Sequence, residues 1–208
     1  MTLATAPVTW RALETTAPLT EATWSGPERL GELVIGPDNA SITFAARMFG
    51  MVTVRGRFEE FAGALRYDGG EGGDLTTASL DATIGAASIR TGIALRDHHL
   101  RGWGYLEADA HPAITFRSRA IVQRPPHLVV LGALTVRGVT TEGEMRCVSC
   151  EMPAERQPAE WRLLGEMAVR RSTFGVGRPS RRFRWLDLRP LVIGDDIRIR
   201  IEVRACVA

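Results

Sequence analysis

Cysteine is scarce in this sequence of 208 residues, and lysine is missing. Its three cysteines, Cys147, Cys150 and Cys206, are odd in number and too few for a disulfide framework. All 26 cationic residues are arginine and Asn39 is the only asparagine, which indicates high-GC bacterial coding rather than a particular chemistry. With 45% hydrophobic residues, the chain can bury the core of one large domain without disulfides or metal.

Long apolar segments are also lacking. No stretch approaches the roughly 20 apolar residues of a membrane-spanning helix. The first twenty residues lack the basic start and apolar run of a signal peptide, so we expect no membrane span and a cytoplasmic location. The formal net charge is only +2 and the pI is about 8.7, which excludes a general electrostatic attraction to nucleic acid.

Motifs for nucleotides and metals are absent from the sequence. There is no Gly-x-Gly-x-x-Gly helix start, no P-loop and no cluster of metal ligands, so we expect neither cofactor nor metal. The segment from Cys147 to Cys150 has Cys-x-x-Cys spacing, but a zinc site needs a second pair and a redox motif needs a helix after a strand. We interpret Cys147 as a core thiol and Cys150 as incidental.

Alternation of apolar and polar residues with period two is abundant. It is clearest near the C-terminus, where Ile197, Ile199, Ile201, Val203 and Ala205 alternate with charged residues. Similar segments cover residues 41–46, 52–58, 80–84, 114–120, 128–136 and 139–147. Roughly eight such segments predict an all-β fold, a single antiparallel β-barrel over residues 31–208, with a two-sheet sandwich as the alternative. Residues 1–30 have no sustained period and are predicted to form an irregular arm.

The apolar face of these strands is predicted to line one continuous interior. It includes Ile42, Phe44, Val54, Phe116, Val130, Met145 and Ile199. Ser118 and Ala120 are predicted to share the face of Phe116. Small residues on this face favour a cavity over a filled interior, namely Ala46, Gly56, Ala82, Gly132, Gly143 and Gly165. One short helix between Thr91 and Tyr105, capped by Thr91, is predicted to cover one end as a lid.

Four motifs occur in a specific order: Ser88-Ile-Arg-Thr-Gly92, Arg96-Asp-His-His-Leu100, His111-Pro-Ala-Ile-Thr-Phe116 and Leu134-Thr-Val-Arg-Gly-Val-Thr140. With Val54-Arg-Gly-Arg-Phe58 and Phe174-Gly175, they resemble the YceI-like, polyisoprenoid-binding family from about Gly31 to Val207. This resemblance implies a lipocalin-like barrel that holds an isoprenoid chain in its lumen. The sequence departs from the family pattern at Gly36-Pro37-Asp38-Asn39-Ala40, where many members have Asp-Pro-x-His-Ser, and at Met48, where they have a histidine.

Candidate ligand-binding residues are apolar or aromatic positions of the barrel and the lid: Phe44, Met48, Phe49, Val54, His98, Trp103, Phe116, Val130, Met145, Phe174 and Trp185. Arg96, Arg181 and Arg182 are candidates for an anionic head group, because guanidinium groups suit phosphate or carboxylate. Seven arginines lie between residues 170 and 189. A solvated loop, a contact with an acidic carrier protein and nucleic-acid binding are the alternatives for this run.

Asp97, His98 and His99 are adjacent, and a carboxylate beside imidazoles could perform acid/base chemistry. The alternative is that Arg96 and Asp97 brace the lid helix by hydrogen bonds. His98 and Asp97 are therefore the only catalytic candidates.

Three functions remain open at this point. The first is a binding protein that encloses a long, largely apolar ligand such as an isoprenoid, a lipid or a polyketide-like chain. The second is a cofactor-independent cyclase of secondary metabolism, which folds a linear polyene or polyketide in the same lumen and works mainly by orientation. The third is a structural or partner-binding module. A homodimer is possible in each case.

Overall fold

The computed structural model describes residues 32–48, 51–66, 77–124, 127–151, 160–177 and 193–206. The predicted arm, residues 1–30, lies outside them. The described residues form one α-helix, α1 (Ala94–Arg101), and eleven strands: β1 (Glu32–Ile35), β2 (Ala40–Met48), β3 (Val52–Phe58), β4 (Phe61–Arg66), β5 (Ser79–Gly85), β6 (Ile89–Arg90), β7 (Ala113–Arg124), β8 (His127–Val136), β9 (Val139–Glu151), β10 (Glu160–Arg170) and β11 (Ile193–Cys206).

All strands pair antiparallel in one sheet, in the order β1-β4-β5-β7-β8-β9-β10-β11-β2-β3-β6. The order returns on itself, because β4 follows β3 after two residues and β6 follows β5 after a 3₁₀ turn. Backbone bonds carry the ladder across this corner, from Glu59 N to Ser88 O (3.2 Å) and from Gly85 N to Glu60 O (2.8 Å). The antiparallel barrel is confirmed, and the two-sheet alternative is wrong.

The number of strands is eleven rather than the predicted eight, and the corner explains most of the difference. The buried Ser88 donates its hydroxyl to Gly85 O at 2.7 Å and accepts from Glu59 N at 3.2 Å. These bonds hold a 3₁₀ turn that divides one long strand into β5 and β6, opposite the break between β3 and β4. The short β1 adds one more strand by pairing with β4.

The register of the pairs confirms the predicted interior. Phe44 lies opposite Ile199 on one side and Gly56 on the other, and Val130 lies opposite Met145. All seven residues named for the interior are buried or half-buried. Alternation therefore assigned the inner face correctly for residues on six different strands.

A β-bulge in β7 changes which of its residues face the barrel interior. Ser118 pairs with Gly132, but Ala120 pairs with Leu131 and Ile121 with Val130, so one extra residue enters β7 between them. This shift turns Ile121 inward and Ala120 outward, and the expectation that Ala120 shares the face of Phe116 is wrong. At the bulge, Leu80 N donates to Ser118 Oγ at 2.7 Å, which supplies a partner for the inward-facing hydroxyl.

Several interior glycines hold space for a neighbouring side chain rather than for a cavity. A Cβ atom at Gly132 would lie 2.7 Å from Phe116 Cζ and 2.5 Å from Arg117 O. One at Gly165 would lie 2.9 Å from Met145 Sδ. Large side chains thus pack over bare backbone on the next strand. The inference of a cavity from Gly132 and Gly165 is therefore wrong.

We expect Gly132→Ala to destabilise the barrel by about 1–3 kcal/mol, because the added methyl group would overlap both the backbone of β7 and the ring of Phe116. Gly36→Ala is the matched control, because nothing lies within 4 Å of a Cβ there. Urea unfolding of the three proteins measures the difference. Equal midpoints for Gly132→Ala and Gly36→Ala would contradict the packing described.

Candidate functional site

The two walls of the barrel interior differ in exposure. On β7, β8 and β9 most inward apolar side chains are buried, including Phe116, Val130 and Met145. On the opposite wall Ile42 and Val203 are buried, but many other inward apolar side chains are only half-buried: Phe44, Val54, Phe58, Leu65, Leu80, Ile84, Ile199 and Ile201. The register places these side chains on the inward face of the sheet, so the surface that remains uncovered faces the lumen. The lumen wall, as we call this half-buried set, is a candidate binding surface.

The lumen wall is apolar along its whole described length. The inward positions of β2 to β5 carry aliphatic, aromatic or glycine residues, and no charged side chain lies among them in this part of the chain. Phe44 and Phe58 contribute two rings whose centroids are 5.6 Å apart. Such a surface suits a hydrocarbon and offers a polar ligand no partner.

Cys147 also faces inward, opposite Gly165 and Leu128. Burial raises the pKa of its thiol to about 12. The thiol therefore stays protonated near neutral pH and is a poor nucleophile, as expected for a core cysteine. The side chain of Cys150 lies outside the described residues.

The lid, residues 90–104, crosses one end of the barrel and contains α1. It is held by Asp97, which is only 4% exposed and accepts from Thr91 N at 2.8 Å and from the Thr91 hydroxyl. Arg96 donates from Nε to Thr91 Oγ1 at 2.7 Å and from Nη2 to Thr91 O at 2.8 Å. The hydrogen bond from the Thr91 hydroxyl lowers the pKa of Asp97.

This network supports the bracing interpretation of Arg96 and Asp97. It also corrects the predicted cap, because α1 begins at Ala94, its N-cap is Ile93, and no side chain caps it. Thr91 instead links the two bracing residues. Two of the three guanidinium nitrogens of Arg96 are already bound to Thr91, which leaves this candidate head-group residue less capacity for an anion.

The remaining predicted site residues divide into four groups. Phe44, Val54, Phe116, Val130 and Met145 face the interior, and Phe174 is buried. Met48 is half-buried at the end of β2. His98 and Trp103 are exposed on the lid, away from the first group. Phe49, Trp185, Arg181 and Arg182 lie outside the described residues.

An ion pair that the sequence reasoning missed ties the lid end together. Arg137 Nη2 donates to Glu107 Oε1 at 2.6 Å, and Arg137 Nη1 donates to Gly175 O at 2.5 Å. The hydrogen bond from Arg137 lowers the pKa of Glu107, with a further contribution from Gly104 N. The only sequence signal was the motif from Leu134 to Thr140, which contains Arg137 but says nothing about its partner.

A second arginine fixes the neighbouring segment. Arg171 donates to the carbonyl oxygens of Gly194 (3.0 Å), Val176 (2.8 Å) and Ile193 (2.7 Å). Asp195 accepts from Ser172 N and Ser172 Oγ. Arg171 thus has a structural role, unlike the anion-binding role considered for the arginine-rich run.

Among the described residues, no three histidine, cysteine, aspartate or glutamate side chains are grouped to hold a metal ion. None of the helices in that part of the chain has the length and apolar character needed to cross a membrane.

Comparison with known sequences gives one family. A profile of the YceI-like domain matches residues 33–205. A UPF0312 protein of Shewanella sp. strain W3-18-1 is 34% identical over 103 residues, which cover 49% of this chain and 52% of that protein. One from Staphylococcus aureus strain N315 is 30% identical over 104 residues, 50% of this chain and 57% of that protein. The chain thus spans about half the length of the curated relatives it matches.

Comparison with solved structures supports the same fold. BcnA of Burkholderia cenocepacia superposes with a TM-score of 0.67 at 22% identity, covering 80% of this chain and 96% of that one. A polyisoprenoid-binding domain from Saccharophagus degradans, implicated in plant cell wall breakdown, gives a TM-score of 0.60 at 13% identity and covers 86% of this chain and all of that one. At these identities the likeness establishes the barrel and not the ligand.

We expect Asp97→Asn to lower the melting temperature at neutral pH. The folded-state pKa of Asp97 is lowered, so its stabilising contribution is complete above the unfolded-state pKa and is lost as the pH falls through the folded value. The gap between wild type and Asp97→Asn should therefore close on acidification. Thermal melts across pH test this, with the exposed Asp109→Asn as control. A gap that persists at the lowest pH would contradict the assignment.

Cys147 should resist alkylation in the folded protein. In a Cys150→Ser, Cys206→Ser background, we expect iodoacetamide at pH 8 to react with Cys147 on the order of a hundredfold more slowly than in urea, because a raised pKa leaves little thiolate. Mass spectrometry of timed samples measures the rates. Similar rates in the folded and unfolded protein would show that the thiol is not buried.

Proposed function

Since this chain belongs to the YceI-like domain family, we propose that its barrel binds one long, largely apolar molecule against the lumen wall. An isoprenoid chain is the ligand class we favour. One observation carries the proposal: apart from Ile42 and Val203, which are buried, inward apolar side chains of β2 to β5 and β11 such as Phe44, Phe58 and Ile199 remain half-buried within a sheet that closes on itself. An interior filled by its own side chains would leave no such surface.

The energetics fit a ligand without directional contacts. Each methylene group moved from water to an apolar surface contributes about 0.8 kcal/mol, so affinity rises with chain length until the lumen is full. A branched polyene also packs well against the rings of Phe44 and Phe58. The domain from Saccharophagus degradans with this fold is described as polyisoprenoid-binding, which further supports an isoprenoid.

The cyclase hypothesis receives no support from the described residues. Asp97 is bound to Thr91, and His98 is exposed on the lid. Neither stands at the lumen wall, where a substrate chain would have to react. We therefore propose a binding role. Arg181 and Arg182 remain our proposed contacts for an anionic head group.

Filling the lumen should abolish ligand retention. Ala46 pairs with Ile197 and Val54 and faces inward, whereas its neighbour Ala45 pairs with Arg198 and Arg55 and faces outward. We expect Ala46→Trp to reduce isoprenoid affinity by about tenfold or more, because the indole takes the volume of several ligand carbons. Ala45→Trp should leave the affinity unchanged.

The measurement is native mass spectrometry of each purified variant after incubation with isoprenoid alcohols of increasing length. Extraction of the untreated protein identifies what it carries from the cell. Melting curves establish that both tryptophan variants fold. Equal retention by Ala46→Trp and Ala45→Trp, or affinity that is independent of chain length, would contradict lumen binding.

A further inference from the structure

Large apolar side chains are exposed together at the lid end of the barrel. On the lid, Leu95 and Trp103 are each 66% exposed and Ile93 is 53% exposed. On the hairpin between β2 and β3, Met51 is 88% exposed and Val52 54%. In this part of the chain, these five account for most of the large apolar side chains that are exposed. Their clustering calls for a physical explanation.

Hydrogen bonds and strand pairing place the lid and the hairpin at the same end. Gly104, next to Trp103, accepts from Gly177 N at 2.6 Å. Arg171, in the same segment as Gly177, binds the carbonyl of Ile193, and Ile193 pairs with Met48 at the start of the hairpin. We name the exposed residues Met51, Val52, Ile93, Leu95 and Trp103 the apical surface.

The two segments that carry the apical surface have mainly positive charges; of the acidic residues beside the hairpin at the start of β11, Asp195 accepts from Ser172 and Asp196 lies 3.9 Å from Arg170. Residues 47–58 and 90–104 contain Arg47, Arg55, Arg57, Arg90, Arg96 and Arg101, and Asp97 is their only acidic residue. Asp97 is buried against Thr91. Glu59 pairs with Arg57 at 2.8 Å and with Arg90 at 3.1 Å, while Arg47 and Arg55 are exposed. Exposed apolar groups flanked by arginines match a surface with anionic groups above an apolar layer.

We propose that the apical surface docks on an anionic phospholipid membrane, with Leu95 and Trp103 entering the interface. This inference rests on the proposed function, because an apolar chain that the barrel carries must be exchanged where such chains dissolve. Tryptophan is well suited to this layer, since its ring is apolar and its N–H still finds a partner there. The same argument disfavours a symmetric dimer through the lid, because two-fold symmetry would oppose two identical arginine-rich surfaces.

The test is flotation of the full chain with vesicles of phosphatidylcholine mixed with phosphatidylglycerol, compared with phosphatidylcholine alone. We expect binding to the mixed vesicles that weakens with salt. The double variant Leu95→Gln, Trp103→Gln should bind about tenfold less or weaker still. Val34→Gln is the matched control, because Val34 is 67% exposed on β1, outside the apical surface, and it should bind like wild type.

Further measurements keep the proposal falsifiable. If the double variant melts early, Met51→Gln on the hairpin tests the same surface and should also weaken binding. Trp103→Phe should retain binding but reduce the vesicle-induced blue shift of tryptophan fluorescence. Failure of the wild type to bind mixed vesicles, or equal binding by the double variant, would overturn the proposal. So would a dimer in sedimentation experiments that the double variant dissociates, since the apical surface would then serve a second copy.

Isoprenoid retention in vesicle-free buffer separates this proposal from the proposed function. Retention by both wild type and the double variant, with vesicle binding lost only in the variant, is the result we expect. If the wild type retains isoprenoid but does not bind vesicles, the docking proposal alone is contradicted. A wild type that binds vesicles but retains no isoprenoid would sink the proposed function alone, and docking would then need another purpose.

Discussion

Closure of the backbone ladder across the corner at Ser88 is the constraint on which the rest of the structure depends. An open sheet would present two unpaired edges. Here the hydrogen bonds that join Glu59 and Glu60 to Ser88 and Gly85 pair the first strands with the rest of the sheet. Once the ladder closes, every second residue has no place to point except the interior. The 3₁₀ turn at this corner is followed directly by β6, which leads into the lid. Barrel and lid therefore depend on the same few bonds.

The sequence predicted the parts of this fold that follow from period two. The inward placement of Phe44, Val130 and Ile199 needs only alternation, because a strand with one buried face cannot slip by one residue without exposing its core. The bulge beside Ser118 was beyond such reasoning, since one inserted residue resets the phase without changing composition. The corner was also missed. The motif that begins at Ser88 shows a family resemblance, but it does not show that the Ser88 hydroxyl holds a turn that interrupts a strand.

The candidate site was predictable only in part. Residues on the lumen wall were named because apolar faces of barrels line interiors. His98 and Trp103 were named because they lie on the lid. Their sequence positions did not show which side of the lid faces the interior. Asp97 occupies the inner side, where Thr91 binds it, and that single buried carboxylate leaves His98 and Leu95 pointing away. Which side of a short lid faces the core depends on such tertiary bonds and not on local spacing.

Interior glycines influence how the barrel divides its volume. The ring of Phe116 lies over Gly132 and the thioether of Met145 over Gly165, so two large side chains of the buried wall are accommodated by bare backbone on adjacent strands. Phe44 lies against Gly56 on the opposite wall in the same way, but its ring stays half-buried. Large side chains that lie over glycines of an adjacent strand leave the centre of a barrel less crowded than side chains that project toward the barrel axis. The glycines therefore favour space in the lumen indirectly. They let large side chains lie against the sheet, which leaves part of the surface of Phe44, Phe58 and Ile199 uncovered.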